Sequence, residues 1–140
     1  MVAVASTIIA AKIVELLQKR SRLTYYVSSF AKFKVEGQDI ETHSIVLDNL
    51  GKLPATNVMV PHKWLPKMHE VQTEGARYRT EITNDGGTDI VFDRLVPGDR
   101  VTIHYLYSPN DNALDMHRPP RYDEGFAEPL NMAQMRQYPK

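Results

Sequence analysis

The chain contains no cysteine. That absence excludes a disulfide framework, cysteine-ligated zinc and thiol catalysis together, and leaves the compartment open. It also has no long apolar run. The first twenty residues, MVAVASTIIAAKIVELLQKR, lack a basic leading region and are interrupted by Lys12 and Glu15. They fit neither a secretory signal nor a membrane span, which needs about 20 mainly apolar residues. Neither sign of charge is in excess: 17 Lys and Arg meet 17 Asp and Glu, and the pI is near 7.0. A nucleic-acid binder carries a basic stripe with interleaved aromatics, and none is seen.

Catalytic signatures are missing as well. There is no G-x-S-x-G, no P-loop and no G-x-G-x-x-G. The serines (Ser6, Ser21, Ser28, Ser29, Ser44, Ser108) sit in no nucleophile context. Asp85, Asp89 and Asp93 lack the calcium-loop spacing and its closing Glu. His62 and His69 are seven apart across a Pro-rich stretch, whereas a helical zinc pair is four apart. A site of His62, His69 and Glu70 therefore weighs less than solvent-facing or hydrogen-bonded histidines. His43 and His104 fall on expected strands, where they could face each other. The expectation is a non-enzymatic chain without cofactor or metal.

What is present is ordinary globular material, with 42% apolar residues in a length suited to one domain and an appended segment. Residues 1–20 read as a helix. Val2, Ala5, Ile9, Ile13, Leu16 and Leu17 share one face at helical spacing. So apolar a helix should pack on its own domain, on a partner or on a membrane surface. Lys12, Lys19, Arg20, Arg22, Lys32 and Lys34 make residues 1–34 basic, either as solubilising charge or as a patch for an anionic membrane or an acidic protein face.

Strand patterns follow: Leu23–Phe33, Ile40–Asp48, Ala55–Val60, Met68–Thr73, Tyr78–Thr83, Thr88–Phe92 and Arg100–Tyr107. Glu36-Gly37-Gln38-Asp39, Asn49-Leu50-Gly51-Lys52, Asn84-Asp85-Gly86-Gly87 and Val96-Pro97-Gly98-Asp99 supply turns. At Gly51 a positive φ is available if needed. About seven strands with a turn every ten or so residues predict a mainly β, immunoglobulin-like antiparallel β-sandwich over 21–109. A small barrel is the second architecture. Residues 110–140, with Pro109 just before them and Pro119, Pro120, Pro129 and Pro139 within, read as an extended arm, with one helical turn near Leu130–Met135. Trp64 lies between Pro61 and Pro66, as a cap on the core or an anchor for a partner.

Two segments carry a family likeness. Ile45-Val46-Leu47-Asp48-Asn49-Leu50-Gly51-Lys52-Leu53-Pro54-Ala55-Thr56-Asn57-Val58-Met59-Val60 and Leu95-Val96-Pro97-Gly98-Asp99-Arg100-Val101-Thr102-Ile103 resemble bacterial CARDB-like and related immunoglobulin-like repeats. In those, Asn-x-Gly turns the chain between strands and a Leu-x-Pro-Gly-Asp turn opens a later strand. The resemblance covers roughly residues 23–108 and implies a fold, not an activity. Ser21–Asn57, Leu95–Tyr107 and Asp123–Ala127 also look like bacterial proteins with an apolar segment ahead of one such domain.

The function expected is structural: a subunit that builds or decorates a larger assembly, for example in a bacteriophage virion, through its terminal helix and arm. Self-association with other protein subunits is the expected partnership, with Ile9, Ile13, Leu16, Leu17, Trp64, Tyr122 and Phe126 as binding residues. A virion or bacterial envelope setting fits this. The alternative is a membrane-surface accessory or adhesion domain held by the N-terminal helix.

Overall fold

The computed structural model describes residues 20–111 and 113–130. The N-terminal helix expected over 1–20, with Ile9, Ile13, Leu16 and Leu17, lies outside the described residues except for Arg20, as does most of the expected turn at Leu130–Met135. Among the described residues no helix is long and apolar enough to cross a membrane.

Seven strands form where alternation and turn residues place them: β1 (Leu23–Val35), β2 (Gln38–Asn49), β3 (Ala55–His62), β4 (Met68–Thr73), β5 (Tyr78–Ile82), β6 (Thr88–Leu95) and β7 (Arg100–Tyr107). Three two-residue strands follow: β8 (Arg121–Tyr122), β9 (Gly125–Phe126) and β10 (Glu128–Pro129). They make two five-stranded sheets, β10-β1-β2-β7-β4 and β5-β6-β3-β8-β9. The molecule is a β-sandwich. Its main strand order, 1-2-7-4 over 5-6-3, departs from the constant-type immunoglobulin order of 1-2-5-4 over 3-6-7. The layers expected from sequence are present, but the immunoglobulin strand order is not.

The difference is that β5 and β7 exchange sheets, so the chain crosses between the sheets after β4 and again at the turn between β6 and β7. Asn49 holds it there. Its side-chain amide donates to the carbonyls of Leu53 and Leu95 (both 2.9 Å), and its Oδ1 accepts from Gly51 N–H. Its backbone carbonyl accepts from Gly98 N–H, and its N–H donates to Asp99 O. Gly51 serves close approach and not a positive φ: a Cβ there would strike the backbone of Arg20 and Arg22.

The core follows from period two. Ile45 and Leu47 of β2 and Val101 and Ile103 of β7 face Val58 and Val60 of β3 and Ile90 and Phe92 of β6, all fully buried. Each such side chain stabilises the fold by roughly 1.5–3 kcal/mol relative to exposure.

The C-terminal segment is bound to this body. A 3₁₀ turn at Ala113–Asp115 leads to Met116, which is fully buried, and Ala127 joins the same cluster. β8 pairs antiparallel with β3 at Met59, and β10 pairs with β1 at Thr24 and Tyr25. The β10–β1 pairing is parallel, an exception to the expected antiparallel rule. Prolines did not prevent docking, because two-residue edge pairings need few N–H donors.

One irregularity governs the surface. Between Ser28 and Ala31 the β1–β2 register shifts, with Ser29 at φ 58°. Such a bulge moves every later side chain of β1 to the other face. Ala31, Phe33 and Val35 therefore lie on the outer face, opposite Thr42, Ile40 and Gln38. Lys32 and Lys34 lie on the inner side, opposite Glu41 and Asp39. This part of the hairpin overhangs β7, whose pairing with β2 ends at Glu41 and Tyr107.

Candidate functional site

The inner row of β2 continues past Ile45 to His43, and that of β7 past Ile103 to Tyr105 and Tyr107. At this end of the sandwich the filling turns from aliphatic to polar aromatic. His62, the last residue of β3, enters from the opposite sheet. His117 enters from the docked segment and bridges His62. Phe30 of the bulge stacks on His43 at 5.4 Å, and Trp64 meets Tyr107 edge-on at 6.3 Å.

Hydrogen bonds tie the group into two chains. His43 Nδ1 lies 2.7 Å from the Tyr107 hydroxyl, and His43 Nε2 lies 2.7 Å from His117 Nε2. His62 Nδ1 lies 3.1 Å from the Thr88 carbonyl, and its Nε2 lies 2.6 Å from the Tyr105 hydroxyl. A carbonyl only accepts, so His62 carries its proton on Nδ1 and accepts at Nε2 from Tyr105. His117 Nδ1 is buried without a hydrogen-bond partner. It stays unsatisfied for either direction of the His43–His117 bond, as a bare acceptor when His117 Nε2 donates and as an unused N–H when Nε2 accepts.

Burial keeps these groups neutral. Desolvation lowers His62 to about 4 and His117 to about 3, helped by the neighbouring imidazoles, and lowers His43 as well. Desolvation raises the Tyr105 and Tyr107 hydroxyls. The arrangement can pass or trap protons. Among the described residues no group of three His, Asp or Glu side chains is placed to hold a metal ion.

A groove of about 480 Å³ lies on the outer face of the same sheet, between Thr42, Ser44, Met68, Glu70, His104 and Leu106. Ser44 Oγ is 2.6 Å from His104 Nδ1, and His104 Nε2 is 3.0 Å from Gln72 Oε1. The Ser–His pair lacks the setting of a nucleophile. Ser44 is buried in mid-sheet between β1 and β7, where its N–H belongs to the ladder and not to an oxyanion hole.

The residues singled out in the sequence separate here. Trp64 and Tyr122 are partly buried and pack against the core, whereas Phe126 is 71% exposed. His43 and His104 do not face each other: His43 stands opposite Tyr105 on the inner face and His104 opposite Ser44 on the outer. The imagined His62–His69–Glu70 site is dispersed, with His62 in the interior and His69 on the Pro66 carbonyl. Asp85 pairs with Arg118 and Asp93 with Arg79. Sequence reasoning missed His117, since nothing in its Pro-rich surroundings indicates burial.

No protein-family model matches the chain. No curated protein matches it in sequence either. One of the solved structures similar to it matches over 79% of this chain and 97% of its own, at 9% identity and a TM-score of 0.34. It is a biomass-sensing module of an Rsgi-like protein of Clostridium thermocellum, described as resembling a family 3 carbohydrate-binding module of the cellulosome. So distant a likeness says nothing of what this chain binds.

Proposed function

We propose that the chain is a non-enzymatic structural subunit that associates with further copies of itself. The observation that carries this reading is an apolar strip on the outer face of the sheet. Phe33 stands opposite Ile40 on the overhanging hairpin, and the same face continues through Thr42 to Leu106 and Met68. Phe33 is 55% exposed and Met68 63% exposed. Exposed apolar side chains gathered on one face in this way support an interaction site there. The bulge at Ser29 is what assembles it, since without the shift Lys32 and Lys34 would occupy this face. A chain of zero net charge meets little repulsion from its own copies, which favours a second copy as the occupant.

Light scattering of the full chain over a range of concentrations tests the reading. Oligomers are expected, and Phe33→Asp with Ile40→Asp should reduce them to folded monomers. A wild-type chain that stays monomeric throughout rejects the proposal. Oligomers that persist in this variant but vanish on Ile9→Asp with Ile13→Asp and Leu16→Asp would place the contact at the N-terminal segment.

A further inference from the structure

We infer that His43, His62 and His117 form an acid-operated clasp that docks residues 113–130 on the sandwich at neutral pH and releases them on acidification. The geometry is that of a clasp. His43 belongs to one sheet, His62 to the other, and His117 to the docked segment, with ring centroids 5.0 Å and 5.7 Å from His117. Around His117 the segment also bonds by backbone to β3: Lys63 N–H donates to Met116 O, and Arg118 N–H donates to Pro61 O.

The other ties of the segment are weaker or apolar. Arg22–Glu128, Lys63–Asp115 and Arg118–Asp85 are exposed ion pairs, a class that contributes little. Met116 and Ala127 supply apolar burial. Asp123 and Glu124 also accept from Thr56 and Asn57 at exposed positions, and the variant below, which keeps every carboxylate, separates their contribution from that of the histidines.

The side chains facing the cluster make protonation unfavourable or leave it unaided, while the backbone at Thr88 and Val60 favours it at His62 less than burial opposes it. β2 brings His43, with Glu41 acting on the Tyr107 hydroxyl. β3 brings His62, β4 brings the charge of His69 to bear on His62, and β7 brings two neutral tyrosines. The charges acting on the three rings are one another's and that of His69. One proton added to the His43–His117 pair puts an unbalanced charge between the sheets. A second leaves N–H facing N–H at 2.7 Å. Protonating His62 at Nε2 turns the Tyr105 hydroxyl from donor to acceptor and leaves the hydroxyl hydrogen to find another partner between the sheets. Moving His117 into water relieves the pair and restores its ordinary titration.

Release would uncover two strand edges at once, that of β1 under β10 and that of β3 under β8. Open edges accept strands from other chains, so acid would convert a closed sandwich into one with two pairing sites.

Amide hydrogen exchange on the full chain at about pH 7.5 and about pH 4.5 tests the inference, read as protection factors so that the intrinsic pH effect cancels. The amides of Lys63, Arg118, Ala127 and Leu130 should lose about tenfold or more in protection at the lower pH while the β2–β7 ladder keeps its own. In the double variant His43→Gln with His117→Gln that response should disappear. Equal loss in segment and ladder, no loss at all, or an undiminished response in the variant would each overturn the inference. Ring titration by NMR on the wild type gives a second readout that needs no variant. The three rings should take up protons over the pH interval in which the segment opens, and titration with the segment still closed is the contrary result.

Discussion

His43 Nε2 and His117 Nε2 lie 2.7 Å apart, although 74 positions separate them in the chain. The contact joins the inner face of β2 to a segment that arrives last, and it sets the pH behaviour expected of the protein.

Stability should fall as pH drops from about 6.5 towards 4. The sign follows from burial. The folded-state value of His62 is about 4, below the ordinary 6.5, so the unfolded chain binds protons first. Stability is full above about 6.5 and is lost progressively as pH falls towards the folded value. At pH 5 the loss from His62 alone is about 2 kcal/mol. Urea unfolding at pH 7.5 and pH 5 measures it, and equal midpoints would contradict the burial argument.

Tyr105→Phe should destabilise by about 1–3 kcal/mol, because it removes the donor to His62 Nε2 and leaves a buried acceptor unpaired. Tyr105 is 1% exposed, so water cannot replace the hydroxyl without a cavity. Tyr78→Phe, on the exposed edge strand β5, serves as the control and should change stability by less than about 0.5 kcal/mol. Matching losses for the two would remove the reason to regard the cluster as a buried network.

Asn49→Ala should be among the most damaging single changes. Asn49 is 1% exposed and its amide serves two carbonyls, Leu53 in the β2–β3 connection and Leu95 at the end of β6. Removing it strands the buried Leu95 carbonyl and loses the part-buried bond to Leu53, at a cost of about 2–4 kcal/mol. Gly51→Ala should also be strongly destabilising, through clash with the backbone at Arg20 and Arg22. Thermal melts of both variants check this, and a Gly51→Ala chain with unchanged Tm would show that the turn can open freely.

Leu47→Ala should cost about 2–5 kcal/mol by leaving a cavity between the sheets. Ile82→Ala, at a side chain 84% exposed, should be nearly neutral. Denaturant midpoints with unchanged slopes are the expected form of both results.

The seven main strands were legible in the chain because each combines alternating apolar residues with a turn at its end. Arg100–Tyr107 and Met68–Thr73 match residue for residue, and Ile45, Leu47, Val58, Val60, Val101 and Ile103 declare the core by period two alone. Tertiary structure decided the rest. Strand order depended on which sheet β5 and β7 join, a choice made by contacts between distant residues, such as those of Asn49 with the turn before β7, that no local pattern encodes. The face shown by Phe33 and Val35 depended on a single shift at Ser29, since alternation predicts rows but not which side they take once a residue is inserted. His117 gave no local sign of its role, because a Pro-rich polar segment reads as an arm until Met116 and Ala127 find apolar surface on the finished sandwich. Local propensity and periodicity wrote the strands, while burial against a surface that exists only after folding placed the histidines together.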